Sequence, residues 1–200
     1  MKNLFLVATL ILASSIVTAQ KAADDDDKPE FKNELSTNVF DLVVAGSLNV
    51  NYEYLMKDNQ SFLIGLTAFD TYGYYDAGFL ESSNAVALRA GWVIYTSRYE
   101  NHGGFHFYPM LKLRIGEVTA DGSIFIEDSD GNFVDSGRNS YDIGGFSAGF
   151  GLGYKWVVND KFTINTNFEL TRNLGGDLDS ENADLGIVEP RVGVIFGYRF

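Results

Sequence analysis

Apolar and polar residues alternate with a period of two along most of this chain. Reading back from the C-terminus through PRVGVIFGYRF, Phe200, Tyr198, Phe196, Val194 and Val192 share one parity, while Arg199, Gly197, Gly193 and Arg191 share the other; only Ile195 departs. Successive strand side chains point to opposite faces, so the segment has one apolar, aromatic face and one of glycine and arginine. A soluble protein would turn the apolar face inward. A transmembrane barrel turns it out to lipid and lines its lumen with the polar face. An aromatic chain end on the apolar parity favours the barrel.

Seven more segments of about 10 to 14 residues carry the pattern, close to the ~9–11 that a tilted membrane strand requires. The first runs from Lys32 to about Val44, with its alternation disturbed near Phe40, which predicts a bulge. The second, Ser47 to Met56, sets Leu48, Val50, Tyr52 and Tyr54 against Asn49, Asn51 and Glu53. In the third, Ser61 to Tyr72, Phe62, Ile64 and Leu66 oppose Gly65, Thr67 and the less polar Leu63 and Phe69. The fourth, Ala85 to Tyr99, presents Val86, Leu88, Trp92 and Ile94 opposite Arg89, Gly91 and Tyr95. The fifth, Phe105 to Glu117, points His106, Tyr108, Lys112 and Arg114 inward and Pro109 outward. A proline cannot donate to a ladder, so a bulge or strand end is expected there. The sixth, Ile143 to Trp156, alternates Phe146, Phe150 and Leu152 with Gly145, Gly149, Gly151, Gly153 and Lys155; the seventh, Lys161 to Arg172, alternates Phe162, Ile164 and Phe168 with Thr163, Asn167 and Glu169.

Links after segments two, four and six are short, while those after three, five and seven are long: Gly73 to Asn84, Val118 to Asp142 and Asn173 to Glu189. Only the first link, around Ala45 and Gly46, is short on the long-loop side. Outer-membrane barrels pair short periplasmic turns with longer external loops. The expected fold is therefore all-β, an eight-stranded antiparallel up-and-down transmembrane barrel over residues 32–200 with both termini periplasmic. The N-terminus agrees. Lys2, the apolar run from Leu4 to Ile16 and the small residues Val17-Thr18-Ala19 read as a signal peptide over 1–19, too short to span a bilayer as a helix. Residues 20–31, with Asp24 to Asp27 ahead of Lys28 and Pro29, read as an acidic, solvated periplasmic leader. The same string is familiar as an engineered protease site, but it lies in frame before the first strand and is read as part of the chain.

Composition narrows the picture. A net charge of −12 argues against a nucleic-acid partner, which calls for a basic surface. With no cysteine, the fold must hold without disulfides in an oxidising compartment. Twenty-one glycines, three prolines and 14% aromatics suit β-structure better than helix.

With these patterns in place, the chain resembles the small eight-stranded outer-membrane barrels of Gram-negative bacteria, the OmpA/OmpX-like group. More narrowly, Asn33-Glu34-Leu35 through Gly46-Ser47-Leu48-Asn49-Val50-Asn51-Tyr52-Glu53-Tyr54 resembles the first hairpin of an uncharacterised outer-membrane β-barrel domain. The resemblance covers nearly all of the chain after the signal. It implies insertion by the barrel-assembly machinery through a C-terminal signal, Phe196, Tyr198 and Phe200 with Arg199 between them. It implies no catalytic residue and no cofactor.

Three groups of residues are candidates for chemistry. Glu53, Arg89, Lys112, Arg114, Lys155, Glu169, Arg191 and Arg199 project into a lumen that side chains alone can fill. They read as a buried ion-pair network, with a narrow conduction path as the competing reading. Glycines 145, 149, 151 and 153 are expected to make room for partners such as Arg114 or Tyr108. His102 and His106 are the two histidines, and neither falls beside a lipid-facing serine, which disfavours a lipid A modifying enzyme. Glu127-Asp128-Ser129-Asp130-Gly131-Asn132 partly resembles a calcium loop, with Asp128 and Asp130 as weak ligands; it lacks the closing glutamate and reads better as a turn between strands around Phe125 and Phe133.

The expected function is non-enzymatic: surface interaction or envelope integrity in the outer membrane, as a monomer among lipid and lipopolysaccharide. The alternatives are a narrow channel or transporter of small hydrophobic molecules and a secreted lipocalin-like binder, the latter disfavoured by the polar inner face. Phe200→Asp is expected to lower the amount of assembled barrel far more than an equally drastic change within residues 20 to 31. Equal membrane levels of the two variants would count against the terminal signal.

Overall fold

A computed structural model describes residues 31–56, 59–71, 80–97, 101–120, 125–127, 133–135, 139–175 and 188–200. Residues 1–30, covering the signal and nearly all of the acidic leader, lie outside them, as do Asp128 and Asp130. The elements run β1 (Asn33–Asn38), α1 (Val39–Ala45), β2 (Leu48–Leu55), β3 (Gln60–Ala68), β4 (Leu80–Ser83), β5 (Val86–Tyr95), β6 (Gly104–Ile115) and β7 (Glu117–Ala120). They continue as β8 (Phe125–Glu127), β9 (Phe133–Asp135), β10 (Asn139–Asp142), β11 (Gly145–Val158), β12 (Phe162–Gly175) and β13 (Val188–Arg199). Eight of them close an antiparallel barrel in the order β1, β13, β12, β11, β6, β5, β3, β2. Its polarity is inverted relative to a soluble barrel. Outward positions such as Leu66, Leu111, Phe150 and Phe196 are exposed apolar side chains, whereas Asn51, Glu53, Lys112, Lys155 and Glu169 are buried within.

Closure is made at the chain's own end. The Phe200 amide donates to Asn33 O at 2.9 Å, and the Asn33 amide returns a bond to Phe200 O at 3.3 Å. From there β1 pairs with β13 from Glu34 opposite Arg199 to Asn38 opposite Ile195. Ile195, the departure from alternation, is buried on the inner face.

Four expectations are corrected. The first segment does not continue to Val44 through a bulge: β1 stops at Asn38, and α1 replaces both the rest of the strand and the short link at Ala45 and Gly46. Asn38 takes an extended conformation and its side chain accepts from the Phe40 amide at 3.1 Å, a helix N-cap, while Gly46 at φ +66° ends the turn. Asn38 Oδ1 also accepts from the Val194 amide at 3.0 Å, standing in for the ladder partner lost when β1 ends. The third segment ends at Ala68 rather than Tyr72. Phe69 adopts φ +57°, which flips the parity, so that Phe69 is 55% exposed and Asp70 fully buried. Pro109 causes neither a bulge nor a strand end. The β5–β6 ladder is interrupted opposite it and resumes in the same register at Ile94 and Phe107, while Pro109 keeps its place opposite Phe150. The fifth segment breaks at Gly116, where φ is +130° and an added Cβ would lie 2.5 Å from Ala85 Cα.

Beyond that break, β7 joins β4 and β10 in a three-stranded sheet, and β8 pairs with β9 from Phe125 opposite Asp135 to Glu127 opposite Phe133. The long-loop end thus carries ordered strand structure of its own. Phe150 sits mid-strand on the outer face, beside Pro109 and Leu170. Phe150→Arg should cost about 2–4 kcal/mol near a bilayer midplane, read as urea unfolding of protein folded into phosphatidylcholine vesicles. No change would sink the lipid-facing register of β11.

Candidate functional site

Among the described residues, polar side chains converge in the barrel interior, where they are arranged in three layers. Nearest the short turns, Lys155 Nζ lies 3.0 Å from Glu34 Oε1 and 2.6 Å from Glu53 Oε2, and Arg199 Nε donates to Glu34 Oε2 at 2.9 Å. Thr163 donates to Glu34 at 2.9 Å, and the Ser61 and Tyr95 hydroxyls donate to Glu53. Arg199 reaches further, to Asn101 O at 2.7 Å and His102 O at 3.0 Å, and so ties the β5–β6 turn across this end.

The middle layer is Arg89 paired with Glu169. Arg89 also donates to Asn51 Oδ1 at 2.7 Å, and Tyr108 donates to Glu169 at 2.6 Å. At the long-loop end, Asp70 meets Lys112 Nζ at 2.9 Å, Arg114 Nε at 2.6 Å and Arg191 Nη2 at 2.5 Å. Glu189 accepts from Arg114 Nη2 at 2.7 Å, Arg191 Nε at 2.9 Å and Lys112 Nζ at 3.1 Å. Asp41, projecting from α1, pairs with Arg191 at 3.4 Å. The Arg191 guanidinium also donates to Thr71 O.

All eight residues singled out for the lumen lie inside, and the structure divides them among these layers. Taken alone they would leave four uncompensated positive charges. Glu34, Asp41, Asp70 and Glu189 supply the missing carboxylates, so that each layer is neutral among the described residues. Sequence reasoning missed them for separable reasons. Glu34 shares the inward parity of the first segment and was legible there. Glu189 falls in the last long link when the strand is read from Pro190, two residues after its actual start at Val188. Asp41 and Asp70 were hidden by the helix and by the left-handed Phe69.

The lumen is filled. Among the described residues it holds small cavities, two of them of about 20 Å³ each, room for a single water-sized sphere. Arg89 and Asn167 line both, so the middle layer separates them. Gly151 makes room for Tyr108, where an added Cβ would lie 2.2 Å from Cζ; at Gly153 an added Cβ would lie 2.4 Å from Thr166 O on β12 and 2.9 Å from His106 Cε1. Gly145 and Gly149 also accommodate β12, at Asn173 and at Leu170 and Thr171.

Neither histidine is set up as a base for a serine. His106 stacks on Tyr108 with ring centroids 5.9 Å apart, and its Nδ1 lies 3.4 Å from Gly104 O. His102 Nε2 lies 2.5 Å from Met56 O. Burial holds the His102 imidazole below its ordinary range, and the Arg199 charge works in the same direction against the pull of the Met56 carbonyl. Among the described residues no group of three or more metal-ligating side chains converges.

Fold and interior together define a closed eight-stranded antiparallel barrel with an apolar outer belt and a charged, packed lumen. No family model matches the chain, and no curated protein matches it. Among solved structures it is similar to the N-terminal β-barrel domain of OprF from Pseudomonas aeruginosa, with 13% identity over 84% of this chain and 96% of that one and a TM-score of 0.48. It is also similar to Ail, the attachment invasion locus protein of Yersinia pestis, with 14% identity over 86% and 100% and a TM-score of 0.45. Neisserial surface protein A shows 10% identity over 84% and 92%, with a TM-score of 0.42.

Removing one partner from a buried ion pair costs about 3–5 kcal/mol because the other charge is stranded. Lys155→Met, which strands Glu53 and leaves Glu34 with Arg199 as its remaining cation, should therefore lower unfolding stability by that amount. Lys161→Met, at an exposed position, should stay within about 0.5 kcal/mol. Identical urea midpoints for the two variants would remove the layer from the account of stability.

Proposed function

We propose that this protein is a non-enzymatic integral barrel of a Gram-negative outer membrane, with a closed lumen, acting in surface interaction or envelope integrity through its long-loop end. The observation that carries this reading is the inverted polarity. A continuous belt of exposed apolar side chains surrounds buried ion pairs, an arrangement costly in water and natural in hydrocarbon. A closed barrel also satisfies every backbone group inside a bilayer without a helix.

The packed, neutral interior supports a structural role for the charges rather than a conduction path, and it leaves no room for a lipocalin-type ligand. Both chain ends of the barrel lie with the short turns, which supports a periplasmic placement of that end. Phe196, Tyr198 and Phe200 face outward along one edge of the closing seam. That placement supports their reading as a signal to the assembly machinery. The surrounding partners are then lipid and lipopolysaccharide, with the barrel as a monomer.

Fractionation and conductance test this reading together. The protein should pellet with the outer membrane, resist salt extraction and give no discrete current steps in a planar bilayer. Recovery in the soluble periplasmic fraction would overturn the membrane assignment. Reproducible current steps would overturn the closed lumen.

A further inference from the structure

The barrel wall is not made of strands all the way round. β13 runs from Val188 to Arg199, but β1 pairs with it only as far as Asn38 opposite Ile195. On the other side, β2 begins at Leu48, while β1 pairs with it only from Asn33 to Ser36. A gap in the ladder is therefore left between the long-loop halves of β13 and β2. Asn38 and Asn49 satisfy its edges. Asn38 Oδ1 accepts from the Val194 amide at 3.0 Å, Asn49 Oδ1 accepts from the Asn38 amide at 2.7 Å, and Thr37 donates to Asn49 O at 2.7 Å.

α1 covers this gap, and a small interior cavity lies directly behind it, lined in part by Asn38, Asp41, Asn49 and Val192. The helix carries a single charged residue, Asp41, and that side chain is turned inward to Arg191 and Asn49. Its other face holds Val39, Leu42 and Val43 at helical spacing, with Val44 beside them. All four are exposed, Val43 at 77%. Exposed neighbours on the flanking strands are also apolar: Leu48 and Val50 on β2, Val192 on β13. The apolar belt thus continues without a break across the helix. Seven residues are too few for a helix to persist in water without support from its surroundings.

We propose that α1 is a lipid-immersed piece of the barrel wall, its Val39, Leu42 and Val43 face packed against acyl chains of the outer leaflet, where it seals the gap between β13 and β2. The proposal rests on the outer-membrane reading and adds to it a site where bilayer hydrocarbon meets a helix in place of a strand. Continuity with the belt commits the face to lipid rather than to a protein partner.

The absence of cysteine makes the test direct. Single-cysteine variants Val43→Cys and Leu42→Cys are spin-labelled in the full barrel folded into dioleoylphosphatidylcholine vesicles. Phe150→Cys serves as the mid-belt reference and Ser140→Cys, exposed on β10, as the aqueous reference. Labels at 42 and 43 should show an oxygen-to-nickel-chelate accessibility ratio several-fold above that at 140. If they match position 140 while position 150 still reads hydrocarbon, the immersed helix is refuted and the lipid-facing barrel stands. If position 150 also reads water, the barrel reading falls and this one with it. Labels at 42 and 43 shielded from both reagents at every protein-to-lipid ratio would show a protein-covered face and overturn the proposal.

Discussion

An eight-stranded barrel encloses a space that side chains fill, and in this protein acidic and basic side chains make up much of the filling, beside a buried cluster of Leu63, Val93, Tyr95, Tyr108 and Met110. A charge held away from water is tolerable only when an opposite charge and hydrogen bonds replace the solvent it lost. The three neutral layers follow from that constraint. So does part of the wall: Gly151 lies where Tyr108 needs room to reach Glu169. The constraint also reaches beyond the strands. Asp41 comes from a helix and Asp70 from a residue past the end of β3, because the cations at the long-loop end outnumber the carboxylates their own strands supply.

The same requirement accounts for the places where regular alternation is broken. A left-handed Phe69 is an uncommon conformation for a bulky residue. Here it turns Asp70 into contact with Lys112, Arg114 and Arg191 while leaving an apolar ring outside. The early end of β1 has the same logic. By ceding to α1 at Asn38, the chain brings Asp41 over Arg191 and keeps apolar residues on the outside. Both departures deliver a carboxylate to one cationic layer, where local strand regularity is given up for charge neutrality.

An apolar outer wall and an interior locked by ion pairs leave little surface for specific chemistry. What remains is the long-loop end, where β4, β7 and β10 form a small sheet and β8 and β9 a hairpin-like pair. Segments positioned by a rigid scaffold are where recognition is usually carried. The division between a packed barrel and a structured crown is the physical basis on which the proposed surface or envelope role rests.

Period-two alternation was enough to read eight strands, their faces and the asymmetry of their links, because a strand repeats its geometry every two residues and a slip of one reverses every side chain. The eight lumen residues were legible for the same reason. Glu34 was equally readable from its parity. Asp41, Asp70 and the break at Gly116 were not, since a capped helix, a left-handed residue and a close backbone approach each interrupt the repeat on which such reading depends. The partners of each charge were also out of reach. Lys155 meets Glu34 and Glu53 from across the barrel, a juxtaposition created only when Asn33 and Phe200 join and the sheet closes on itself.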